Sequence, residues 1–104
     1  MHRIKIIINP HNGKQKELSH FCQIITDQTR QKAGCSFSSI LQDKNCIILD
    51  QQWEQFRLLE DYFRSDSFGA LLGAMKFLGK NNEITIDSGT GKQGIRVVET
   101  ARAK

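Results

Sequence analysis

The sequence predicts an α+β fold, ferredoxin-like in its βαββαβ order, with an extra C-terminal strand. Three observations lead there. A β-branched run at residues 3–9 alternates its side chains, and a stretch with helical apolar spacing follows at residues 14–33. Two short apolar runs then precede a second helical stretch, Trp53 to Met75, before further β-type sequence. In that order the helices cover one face of an antiparallel sheet and leave the other for a partner, for which a second copy is the natural cover.

In the first strand, Ile4, Ile6 and Ile8 fall on one face and Lys5, Ile7 and Asn9 on the other. Apolar residues on both sides imply that both sheet faces are covered. Pro10 cannot donate to a ladder and ends the strand. His11, Asn12 and Gly13 form a turn in which Asn12 is a candidate helix cap. The first helix, residues 14–33, presents Leu18, Phe21, Cys22 and Ile25 to the core, and Gly34 supplies a left-handed stop. Residues 35–42 and 46–52 read as strands joined by a turn at Asp43-Lys44-Asn45.

The stretch WEQFRLLEDYFRSDSFGALLGAM, residues 53–75, reads as a jointed helix. Phe56, Leu59 and Phe63 recur at helical spacing, as do Phe68, Leu71, Leu72 and Met75, while Arg57, Glu60 and Arg64 take the wet side. Ser65 stands where a second N-cap is needed, so the joint falls at Arg64-Ser65-Asp66-Ser67. After a loop at residues 79–82, Glu83–Asp87 and Ile95–Thr100 are expected as short strands.

The 104 residues fit one domain, 1–104, and 38% hydrophobic with 25% charged residues is a globular composition. No apolar run approaches the roughly 18–20 residues of a membrane span, and the N-terminus lacks a secretory h-region, so the cytoplasm is expected. Cys22, Cys35 and Cys46 lack redox or zinc spacing and read as small hydrophobes. The net charge of +4 is scattered, without a basic stripe and interleaved aromatics, which argues against nucleic acid as a partner. Gly89-Thr90-Gly91-Lys92 lacks the spacing of a phosphate-cradling loop and reads as a hairpin connection. His2, His11 and His20 have no metal-pair spacing, so no metal is expected.

Trp53 closing an apolar strand, followed by Tyr62-Phe63-Arg64-Ser65-Asp66-Ser67-Phe68, resembles the antibiotic-biosynthesis monooxygenase (ABM) family. Arg30-Gln31-Lys32-Ala33-Gly34-Cys35 is similar to the basic helix end found in many members. The resemblance implies a dimeric α+β barrel and a cavity between sheet and helices. It makes Asn9, Tyr62 and Trp53 the candidate catalytic residues, orienting a small aromatic, quinol-like substrate with no cofactor. The protein's part is then positioning, water exclusion and help with one proton. Asn9 can donate and accept, and Tyr62 is a donor near neutral pH. Tyr62 stands where many members carry a histidine, and Ser67 where a second is frequent. Haem-degrading relatives resemble the chain with their axial histidine at Leu72, which cannot ligate iron.

Two functions follow. One is a homodimeric, cofactor-independent monooxygenase. The other is a non-catalytic dimeric module binding a small apolar ligand, in keeping with the substituted histidines. If the Tyr62 hydroxyl points to the cavity edge, Tyr62→Phe is expected to cost only about 1 kcal/mol.

Overall fold

A computed structural model describes residues 1–43, 45–89 and 91–103, with Lys92 described in its backbone alone. In order the elements are β1 (His2–Pro10), α1 (Gln15–Arg30), β2 (Cys35–Asp43) and β3 (Cys46–Trp53). There follow α2 (Phe56–Phe63), α3 (Asp66–Leu78), β4 (Gly79–Asp87), β5 (Lys92–Gln93) and α4 (Ile95–Arg102). The sheet order is β2-β3-β1-β4-β5, and its described pairings are all antiparallel. The first four strands have the ferredoxin-like arrangement, and the extra strand is a two-residue edge on β4.

Side-chain alternation assigns the faces. Ile4, Ile6 and Ile8 of β1 are fully buried beneath the helices, as are Ile47 and Leu49 of β3, with Ile84 and Ile86 of β4 beside them. From the helices, Leu18, Cys22 and Ile25 of α1, Leu59 and Phe63 of α2, and Phe68 and Leu71 of α3 meet them. Each large apolar side chain sequestered in this way contributes about 1.5–3 kcal/mol. The opposite face carries a row in register, Leu41↔Ile48↔Ile7, across β2, β3 and β1. Phe37 and Leu41 on that face are 45% and 61% exposed.

The joint in the second helical stretch falls at Arg64 and Ser65. Ser65 is the N-cap of α3: its hydroxyl accepts from the Phe68 amide at 3.1 Å and donates to the Tyr62 carbonyl at 2.6 Å. Phe56, expected on the apolar side, is partly exposed and leans on the His2 ring at 5.4 Å.

Four local expectations change. The segment 95–100 is not a strand but most of α4, because Val98 and Ala101, three residues apart, share one buried helical face. β4 begins at Gly79, absorbing the expected loop, with Asn81 in the left-handed region at φ 51°. α1 stops at Arg30, four residues before Gly34, whose φ of +87° serves the turn into β2. Its N-cap is Lys14, with no side-chain capping bond, so Asn12 does not cap it. Lys44 of the expected turn and Thr90 of the glycine-rich run lie outside the described residues.

Candidate functional site

The interior between helices and sheet is organised around two rings. Trp53 enters from the last residue of β3 and Tyr62 from the last turn of α2; they stack with centroids 4.9 Å apart and planes 26° apart. Phe68 meets Tyr62 edge-on at 5.1 Å and Phe63 at the same distance. Trp53 is 1% exposed and Tyr62 2%. The volume in which the resemblance puts a cavity is therefore largely filled by the protein's own aromatic side chains.

A buried chain of hydrogen bonds runs beside the stack. Trp53 Nε1 donates to Gln51 Oε1 at 3.1 Å, and Gln51 Nε2 donates to the Tyr62 hydroxyl at 3.2 Å. Thr29 Oγ1 donates to the Ile25 carbonyl at 2.7 Å, so its 3.3 Å contact with Tyr62 takes the phenolic proton. Every link thus runs one way, from indole to amide to phenol to hydroxyl to a helix carbonyl. Burial pushes the Tyr62 phenol above its ordinary value, and the hydrogen bonds it shares with Thr29 and Gln51 offset this in part. The group is neutral at neutral pH, a donor rather than a base.

Gln51 and Thr29 were missed as functional residues, yet both left a signal. In β3 the apolar phase Ile47, Leu49, Trp53 contains one polar member, Gln51. In α1 the phase Leu18, Cys22, Ile25 continues to Thr29, fully buried. A polar residue on the buried phase of an element must find a partner inside.

Over the stack lies a shallow depression of about 210 Å³, edged by Lys32, Ala33, Leu58, Asp61 and Ser65. It is smaller than the roughly 300 Å³ at which small-ligand pockets begin. Asn9 is elsewhere. His2 pairs with Trp53 in the ladder, and Asn9 lies seven residues further along β1. At about 3.3 Å per residue that is roughly 23 Å, the other end of the sheet. There its Nδ2 donates to the Asn81 carbonyl at 3.0 Å and it lines a separate polar cleft. The structure joins Trp53 to Tyr62 and leaves Asn9 apart.

Among the described residues no group of three His, Cys, Asp or Glu side chains could hold a metal ion. Leu72 is half-buried against the core.

No family model and no curated protein matches this sequence. Solved structures do. A candidate antibiotic biosynthesis monooxygenase from Deinococcus radiodurans superposes with TM-score 0.80 at 16% identity, over 88% of this chain and 94% of that one. The fold is that of the antibiotic-biosynthesis monooxygenases. SnoaB from Streptomyces nogalater, a cofactor-independent oxygenase solved as a mutant, matches with TM-score 0.72 at 11% identity over 86% and 93% of the two chains. A conserved protein from Methanosarcina mazei matches with TM-score 0.74 at 20% identity, over 83% and 89%. At these identities the likeness shows the architecture alone.

Proposed function

We propose that this ABM-like chain is a cytoplasmic, homodimeric oxygenase that takes a small quinol- or anthrone-type aromatic at the Trp53–Tyr62 face, with no cofactor. The observation that carries the reading is the buried Gln51–Tyr62–Thr29 chain behind a stacked tryptophan. It sets a polar handle inside an apolar, aromatic wall, as recognition of a planar phenol or ketone requires. For an anthrone the reaction balances as CH₂ + O₂ → C=O + H₂O. The substrate loses a proton to solvent, its carbanion gives an electron to oxygen, and the two radicals combine; the peroxide takes a proton back and loses water to leave the carbonyl. The side chains then have two tasks. Tyr62 donates to the substrate oxygen, and Lys32 at the rim favours the anion. Thr29 holds the longest link in the chain and keeps its own bond to Ile25 when the phenolic proton turns away. To admit a ring, α2 and the segment at Lys32–Ala33 have to separate, since the depression is small.

The homodimer rests on the outer sheet face. Leu41, Ile48 and Ile7 form an apolar row on a face the helices do not cover, with exposed Phe37 on the same face beyond Ser39 and Asp50. A second copy facing it completes a barrel. Light scattering across a dilution series tests this, and a stable monomer overturns it.

Oxygen uptake with anthrone tests the chemistry. Catalysed uptake that falls by about 10–100-fold in Tyr62→Phe supports the reading, in line with the loss of one donor to a developing oxyanion. One observation favours a second reading, a non-catalytic module: every proton in the chain is already committed. Trp53 is the single tryptophan, so saturable quenching of its fluorescence by anthraquinone without oxygen uptake would select that reading instead.

A further inference from the structure

We propose that the cleft where β1 turns into α1 binds the phosphate group of a small phosphomonoester. The cleft encloses about 440 Å³, inside the range of roughly 300–1,000 Å³ seen for small-ligand sites. It lies at the far end of the sheet from Trp53 and does not depend on the oxygenase reading.

Its lining has one chemical character. Asn9, Asn12, Asn45 and Asn81 contribute amides, His11 an imidazole and Lys80 an ammonium, and no lining residue carries a carboxylate. The permanent charge on the wall is therefore positive, and the remaining groups are hydrogen-bonding amides and a ring. No aromatic residue other than His11 offers a stacking surface, which disfavours a nucleobase or a sugar face.

The walls are fixed in advance. The pairing of β1 with β4 shifts register between Ile7 and Asn9, an irregularity that re-aims the strand end. Asn9 then bonds the Asn81 carbonyl at 3.0 Å, holding the left-handed backbone at that residue. The opposite lip is pinned by the His11 amide on the Leu78 carbonyl at 2.8 Å and the Lys14 amide on the His11 carbonyl at 2.9 Å. Lys80 on β4 pairs with Asn9 in the ladder and lines the same cleft. A phosphate dianion carries more charge and more acceptor oxygens than a carboxylate, so it satisfies more of these donors at once. The volume left over has room for a short polar substituent, which is why a phosphomonoester is expected to bind more tightly than free phosphate.

The test is a ¹⁵N NMR titration at low salt with inorganic phosphate and with glycerol 3-phosphate, against acetate and chloride at matched ionic strength. The expected result is saturable shifts confined to residues 9–15, 45 and 79–82, tighter for glycerol 3-phosphate than for phosphate. Lys80→Ala should weaken binding by about tenfold or more, the loss expected for one charge-assisted hydrogen bond. Lys16→Ala, in the first turn of α1 but outside the lining, should leave it within about twofold, as for an exposed charge. Unchanged spectra away from the cleft establish that both variants fold. Non-saturable shifts, equal response to acetate, or an unaffected Lys80→Ala each overturn the proposal.

Discussion

Removing the Tyr62 hydroxyl should cost more than one hydrogen bond, and the structure says how the excess is divided. In Tyr62→Phe the ring stays stacked on Trp53 and edge-on to Phe68, so the packing is retained. What goes is the acceptor for Gln51 Nε2 and the donor to Thr29 Oγ1. Gln51 is 1% exposed and Thr29 fully buried, so water does not replace either partner. One bond contributes about 1 kcal/mol, and an amide donor left unpaired in the interior adds about 1–3 kcal/mol. We therefore expect a total of about 2–4 kcal/mol, not the about 1 kcal/mol that holds when the oxygen sits at a wet edge. For a domain of this size that is a fall in Tm of roughly 10–30 °C. Thr29→Val strands the phenolic proton in the wild-type background and should cost about 1–2 kcal/mol there, but little in the Tyr62→Phe background. Urea unfolding of the four proteins gives a coupling energy of about 1 kcal/mol if the two hydroxyls are linked as described. Strict additivity, or a Tyr62→Phe cost below about 0.5 kcal/mol, would refute the buried chain.

Other perturbations are read from the same contacts. Ser65→Ala removes the cap of α3 and should cost about 1–2 kcal/mol by urea unfolding, with Ser65→Asp recovering most of it. Arg102→Ala frees the Phe63 carbonyl, bonded at 2.7 Å, and should raise amide exchange at residues 64–69 ahead of the rest of the chain. Gly34→Ala puts a methyl 2.5 Å from Leu58 Cδ1 at a φ of +87°, so a loss of about 2 kcal/mol or more is expected in a thermal melt. The Cys22 thiol, ordinarily at 9.0, is pushed up to about 12 by burial. Since the folded value lies above the unfolded one, its contribution is complete below about pH 9 and is lost as the pH rises towards 12. Between pH 8 and 10.5 wild type should lose about 2 kcal/mol more than Cys22→Ala, followed by urea midpoints.

Most of the sheet was legible because β1 and β3 alternate buried with more exposed positions and their buried phases are apolar but for Gln51. The joint at Ser65 was legible because a capping serine sits between two runs of helical spacing, and both the spacing and the cap act locally. The C-terminal segment was not. Ile95-Arg96-Val97-Val98 has three β-branched residues in four, which by local preference extends. Its outcome was set by distant partners, with α4 packed against α2 and β4 and Arg102 bound to the end of α2. Propensity gave way to burial of Val98 and Ala101 against other elements of the fold.

The site divides along the same line. Trp53 and Tyr62 were readable as a pair because a strand end and the following helix bring them together through a short connection. Asn9 was grouped with them by the family resemblance alone, yet a strand has two ends and its sequence does not say which one meets which helix. That requires the register, and the register sets His2, not Asn9, beside Trp53. The same geometry turns a misplaced residue into information. With Asn9 bound to Asn81 at the far end, the aromatic face relies on Gln51 and Thr29 for its polar groups, both buried and both on otherwise apolar phases. An unfolded chain has no reason to keep a glutamine between Leu49 and Trp53; an indole and a phenol that must both be satisfied in the dry interior supply one.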